Sequence, residues 1–302
     1  MNEKNILIAL DFGGTSVGIA VADNHGNMLV RKSVPTSGKK ATDLLEDVMR
    51  HIHVLLTEYQ DQTLIGIGIA MCGVVDGDTI TMIPNLPGME SIHLRQYMKD
   101  RFHVPVRIEN DVHVAAFAEL KKGYLKETDY GLYLNFGTGI SAGITVGDRV
   151  LSGHNGAAGE IGYLMRDRRD RLTFQSGHAS FEEFAGGSGA SRRASVAFNQ
   201  SMTTKQLFQE SSGDPNKQEF IDEICMEISF QVANLSIAFN PQRIVLGGGM
   251  IVPNGPIHQK ILEKLKENVP YPPEVFLSSF GKDASLYGAV ELALSAAHTE
   301  DC

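Results

Sequence analysis

The sequence predicts an α/β protein built from two related domains, and three observations carry that prediction. A glycine-rich strand–turn–strand unit near the N-terminus returns far downstream. Strand-like and helix-like patterns are mixed along the chain. The 302 residues, 42% hydrophobic and 21% charged, have ordinary globular composition and enough length to bury a sizeable core. The repeat aligns Leu10-Asp-Phe-Gly-Gly-Thr15 with Leu134-Asn-Phe-Gly-Thr-Gly139 and, after one insertion, Gly18-Ile-Ala-Val-Ala-Asp23 with Gly143-Ile-Thr-Val-Gly-Asp148.

Taken in order, residues 5–10 form an apolar strand, residues 11–15 a turn, and residues 16–22 a second strand. A turn over residues 23–27 leads into a third strand. Across residues 42–58, Leu44, Leu45, Val48, Met49, Ile52 and Leu55 recur at helical spacing. Strands follow at 64–70 and 104–108, with a helix at 93–102 between them. A helix over 112–122 stops at Gly123. After the repeat the chain is mostly helical. A long helix over 219–239 ends at Asn240-Pro241, because proline cannot continue it. A strand over 243–246 enters Gly247-Gly248-Gly249, and helices at 256–267 and 286–297 flank a short strand at 275–278. Alternating signs across residues 166–171 predict a solvated loop.

A net charge of −9 argues against non-specific binding to nucleic acid or to anionic lipid, both of which need basic patches. No apolar run reaches the ~18–20 residues of a membrane span, and the N-terminus lacks the pattern of a signal peptide. Cys72, Cys225 and Cys302 are far apart and in no CxxC pattern. They predict a reduced, cytoplasmic protein without a disulfide framework.

Two glycine-rich turns and a strand ending in three glycines suggest phosphate handling, since such turns let backbone N–H groups converge on an anion. A Walker A loop is excluded: Gly38-Lys39 is followed by Lys40, and Gly281-Lys282 by Asp283. Gly137–Gly143 spells GxGxxxG between two strands, so it is not the dinucleotide fingerprint either.

Asp11-Phe-Gly-Gly-Thr15, Glu109-Asn-Asp-Val112, Gly137-Thr-Gly139, Gly153-His-Asn-Gly-Ala-Ala-Gly-Glu-Ile-Gly162 and Ile244-Val-Leu-Gly-Gly-Gly249 occur in that order. Together they resemble the ROK (repressor, open reading frame, kinase) family of sugar kinases, within the actin-like ATPase superfamily. The resemblance covers nearly the whole chain. It implies two actin-like (ribonuclease H-like) α/β domains flanking a catalytic cleft. The smaller would comprise residues 1–122 plus 288–302, the larger residues 123–287. It implies an ATP- and Mg²⁺-dependent kinase that phosphorylates a hexose, with the 6-hydroxyl as acceptor and a glucose- or allose-type sugar as the leading expectation. A homodimer is expected. The alternative is a non-catalytic sugar sensor or regulator. A repressor of the same family would carry a DNA-binding domain ahead of the first glycine turn, where only ten residues stand here.

By the same resemblance, Asp111 is the base that accepts the sugar hydroxyl's proton, as phosphoryl transfer needs an oriented hydroxyl and a base. Local sequence alone also allows Asp111 or Asn110 to be a helix cap. Asn110, Glu160 and Glu182 match sugar-binding positions, with Gly73, Asn85 and Tyr163 beside them. Asp11 would orient Mg²⁺ through water while Gly13, Gly14 and Thr15 approach the phosphates. Thr138 and Gly139 would grip them from the other domain, and Gly247, Gly248 and Gly249 would pack against adenosine. Relatives commonly hold a structural zinc on one histidine and three cysteines. Here those positions carry Tyr163, Thr173, Gln175 and Ser180, so no zinc is expected.

Overall fold

The computed structural model describes residues 4–36, 38–83, 85–168, 170–171 and 173–299. Ser37, Pro84, Leu172 and Cys302, together with Arg169 of the charged run, lie outside them. The chain divides into two compact units, Met1–Gly123 with Arg149–Ala158 and Asp283–Cys302, and Tyr124–Asp148 with Gly159–Lys282. The segment Arg149–Ala158, placed by sequence in the larger domain, thus groups with the first unit.

The first unit contains β1 (Asn5–Phe12), β2 (Ser16–Asp23), β3 (Met28–Pro35), α1 (Ala41–Glu58), β4 (Thr63–Met71), β5 (Val74–Asp76), β6 (Thr79–Thr81), α2 (Leu94–Phe102), β7 (Val106–Asn110) and α3 (Asp111–Lys122). Its sheet has the order β3-β2-β1-β4-β7. β1 and β2 are antiparallel, whereas β1, β4 and β7 run parallel. Strand alternation sorts β1 onto two faces. Ile6, Ile8 and Leu10 join the core that includes the apolar stripe of α1, and Leu7 and Ala9 face residues of the last helix.

The second unit begins with β8 (Tyr130–Phe136) and β9 (Ile140–Val146); the chain then forms β10 (Arg149–Val150) in the stretch that groups with the first unit. Helices α4 (Ser180–Ala185), α5 (Gly187–Ala197), α6 (Thr204–Glu210) and α7 (Pro215–Phe239) lead to β11 (Arg243–Gly247), α8 (Pro256–Asn268) and β12 (Glu274–Leu277). Helix α9 (Ala284–Thr299) returns to the first unit. The second sheet has the order β10-β9-β8-β11-β12, with β8 antiparallel to β9 and parallel to β11. The sequence repeat therefore corresponds to a repeated sheet plan. Helix α7 starts four residues earlier than its apolar pattern, because Asp214 caps it from the side chain and Pro215 occupies its first position.

Candidate functional site

In the first unit, β1, β4 and β7 end side by side: Phe12 pairs with Met71, and Met71 with Asn110. The carboxyl ends of parallel strands are where open α/β sheets place their ligands, and Asp11, Cys72 and Asp111 all stand there. Asn110 caps α3, its Oδ1 accepting the N–H groups of Val112 at 2.9 Å and His113 at 3.0 Å. Its Nδ2 donates to the Gly73 carbonyl at 2.8 Å, so most of its amide is engaged within the protein. Asp111 is the first residue of the helix, and its Oδ1 accepts from Val112 N–H at 2.9 Å. Gly73 has φ +127°, and a Cβ there would stand 2.8 Å from the Thr81 carbonyl oxygen. Glycine is therefore required at 73 whether or not sugar lies beside it.

The first glycine turn closes with Gly13 N–H donating to Ser16 O at 3.1 Å. Thr36 braces it, through Oγ1 to Gly14 O at 2.9 Å and its N–H to Thr15 O at 3.1 Å. Asn85 packs on the same turn, since a Cβ on Gly14 would lie 3.2 Å from that of Asn85. A residue expected at the sugar and one expected at the phosphates are thus neighbours.

The second unit assembles Glu160, Tyr163 and Glu182. Ala142 N–H donates to Gly159 O at 2.8 Å, which holds the start of the Gly-Glu-Ile-Gly segment against β9. A Cβ on Gly162 would stand 2.9 Å from Ile140 O and 3.1 Å from Glu182 Cβ. Glu182 accepts the Ile140 N–H through Oε2 at 2.8 Å, immediately after the second glycine turn. That turn is fixed by α5, whose Gly187 and Ser188 N–H groups donate to Gly137 O at 2.9 Å and Thr138 O at 3.0 Å.

Gly139 now has an internal reason to be glycine, because a Cβ would sit 2.4 Å from Glu182 Oε2. The Gly247–Gly249 run separates into two roles. A Cβ on Gly247 would strike the Tyr133 hydroxyl at 2.2 Å, and Gly248, at φ +92°, lies against the Phe136 backbone. Gly249 is exposed, and among the described residues no atom lies within 4 Å of its missing Cβ.

Burial and the Asp283 carboxylate push the Asp11 carboxyl up to about 6. A carboxylate at this strand end has the hard oxygen ligand that a divalent cation takes, and Arg31 pairs with the neighbouring Asp283. Burial and the carboxylates of Asp111 and Asp11 push the Cys72 thiol up to about 12, which makes it a poor nucleophile. Burial, then Glu160 and Glu182, raise the Tyr163 phenol above its usual value, so it stays a neutral hydroxyl beside two carboxylates. Burial outweighs the Ile140 N–H and raises the Glu182 carboxyl.

Arg166 departs from the solvated-loop expectation. Its guanidinium lies over the Phe184 ring at 3.2 Å, and Arg193 covers the same ring at 3.6 Å. Tyr163 meets Phe174 edge-on at 5.5 Å. Among the described residues no group of three or more His, Cys, Asp or Glu side chains could hold a metal ion. Sequence reasoning also passed over His113, which is buried against Glu109 and Ala158. The i,i+4 spacing of Glu109 and His113 was its one local signal.

The chain is similar over most of its length to known proteins. A glucokinase from Halalkalibacterium halodurans is 26% identical over 306 residues, covering 93% of this chain and 92% of its own. An N-acetylmannosamine kinase from Vibrio cholerae is 25% identical over 276 residues, covering 89% and 91%. The crystal structure of a ROK hexokinase from Thermus thermophilus superposes with a TM-score of 0.81 at 27% identity, over 98% of this chain and 100% of that one. The ROK family match itself extends over residues 7–296, and the chain belongs to the ROK family.

Proposed function

We propose that this ATP-dependent carbohydrate kinase transfers the γ-phosphoryl group to a hexose hydroxyl, the 6-hydroxyl, with Asp111 as the general base. One observation carries the assignment of the base: Asn110, not Asp111, supplies the side-chain cap of α3. Asp111, whose Oδ1 also accepts the Val112 N–H, is the first residue of α3 at the carboxyl end of β7, suited to take a proton. The proton passes from the sugar hydroxyl to the Asp111 carboxylate as the hydroxyl oxygen bonds to the γ-phosphorus and the bond to the ADP oxygen breaks. Glu160 and Glu182 accept hydrogen bonds from sugar hydroxyls, and Asn110 Nδ2 and the Tyr163 phenol donate or share one each. Backbone N–H groups of the turns at Gly13–Thr15 and Thr138–Gly139 approach the phosphates, and Gly249 lies along the adenosine. Asp11 would hold Mg²⁺ through water, and the ion would supply charge neutralisation on the phosphates.

The sugar is to be found by a coupled kinase screen over glucose, allose, mannose, fructose and N-acetylated hexosamines at physiological ATP. Sugar-dependent ADP release with a 6-phosphate product supports the reading. Sugar binding without turnover overturns it in favour of a sensor.

A further inference from the structure

His113 is 2% exposed and stands four residues after Glu109 of β7, on the helix that Asp111 begins. Its Nε2 lies 2.6 Å from the Ala158 carbonyl oxygen, which can only accept, so Nε2 carries a hydrogen. Its Nδ1 lies 3.3 Å from Glu109 Oε1. Burial would raise the Glu109 carboxyl, but His113, the Asn110 N–H and Ser152 together hold it below the usual range. The carboxylate is therefore ionised and can only accept as well. Both ring nitrogens face acceptors, and the arrangement is satisfied when both are protonated.

Glu109 Oε1 also takes the Asn110 N–H at 2.9 Å, and Oε2 faces Ser152 Oγ at 3.3 Å. The same pair thus grips the segment Ser152–Ala158 at both ends. Between those grips, the segment lies so close to β5 that a Cβ on Gly156 would stand 2.0 Å from Val75 O. Ala158 is the last residue of the first unit on this crossing, and Glu160 follows two residues later in sequence.

We propose that His113, as a buried imidazolium paired with Glu109, is a positioning residue for sugar recognition: it anchors the segment that carries the chain to Glu160. Its effect on the reaction rests on the kinase reading above, but the ion pair and its anchor do not. Two contacts of the clamp, Glu109 with Ser152 and His113 with Ala158, join side chains of β7 and α3 to the segment Ser152–Ala158. Asp111 sits between Glu109 and His113 in sequence, so the clamp also frames the base.

Three measurements test this. In ¹⁵N spectra of the wild-type protein at neutral pH, His113 should show two protonated ring nitrogens; one bare nitrogen overturns the imidazolium. In His113→Asn and Glu109→Gln, the KM for sugar should rise about tenfold or more, the scale of a misplaced binding group. The KM for ATP should stay within about twofold, and the double variant should be no worse than the poorer single one, as for residues acting as a unit. A sugar KM within about twofold of wild type, in a variant with native circular dichroism, overturns the positioning role. Limited proteolysis should cut the segment 152–158 faster in both single variants; equal rates overturn the anchor. Should His113→Asn fail to fold, Glu109→Gln and the wild-type spectrum still decide. Absence of kinase activity in the wild type would sink the kinase reading and with it the recognition role. The spectrum and proteolysis would then judge the clamp separately.

Discussion

A carboxylate's surroundings decide its work, and the two aspartates at the strand ends differ in theirs. Asp111→Asn keeps the side-chain shape and the Val112 contact but removes the proton affinity. A general base contributes typically ~10²–10⁴-fold, so turnover should fall by at least about a hundredfold while sugar affinity by calorimetry changes far less. A folded variant that keeps a tenth of wild-type turnover would take Asp111 out of the mechanism. Asp11, raised to about 6 from an ordinary 3.8, gives a pH dependence with a definite sign. Between those values the folded chain holds a proton that the unfolded chain has lost. This group's contribution to stability is therefore greatest in acid and declines as pH rises to 6. In the proposed role of Asp11, binding of Mg²⁺·ATP needs the ionised form, so its affinity should weaken as pH falls below about 6. Calorimetry from pH 5 to 8 on wild type and Asp11→Asn checks this, since the variant should lose that pH dependence along with much of its affinity.

At the scale of elements, the glycine turns divide into those that shape the backbone and one, Gly249, whose missing Cβ faces open space among the described residues. Gly249→Val meets no described atom within 4 Å of its Cβ, so it should leave melting unchanged and weaken ATP binding by about tenfold or more by blocking the adenosine. Gly248→Ala, at φ +92° with the Phe136 backbone 2.3 Å from its Cβ, should lower the melting temperature instead. Unchanged ATP affinity in Gly249→Val would place the adenosine elsewhere. Substitution at Gly139 is the poorer probe, because Glu182 would be displaced first. The same contrast marks what could be read in the sequence. Helix α1 was legible because seven of its residues face one core at helical spacing, and the strands flanking each turn were legible as apolar runs. Helices α4 and α5 were not, since Gly186 separates them with little apolar period to mark either. The hairpin of β5 and β6 has only three residues in each strand. Candidate site residues were legible as short motifs. The clamp of His113 was not, because Ala158 lies 45 residues away and contributes only a carbonyl oxygen.

For the molecule as a whole, stability rests on an apolar core in each unit. Phe184 lies between the guanidinium groups of Arg166 and Arg193, and Arg193 also lies 4.6 Å from the Phe220 ring centre. Arg193 Nη1 donates to Phe184 O at 2.8 Å, and Arg166 and Arg193 reach Glu227 at 3.4 Å and Glu223 at 3.2 Å. Such a staple needs no metal, so the melting temperature should be the same with and without EDTA. Elemental analysis should find far less than one zinc per chain, and Mg²⁺ alone should restore activity after chelation. Phe184→Leu keeps apolar bulk but removes two cation–π contacts, each worth ~0.5–1 kcal/mol, so it should cost about 1–2 kcal/mol in denaturant unfolding. Tyr163→Phe removes one hydroxyl beside Glu160 and Glu182, and should weaken sugar binding by roughly 0.5–1.5 kcal/mol with little effect on stability. The two variants therefore separate the staple from the proposed sugar contact. Stoichiometric zinc, or activity that Mg²⁺ cannot restore, would mean that a metal does the work assigned here to Arg166, Phe184 and Arg193.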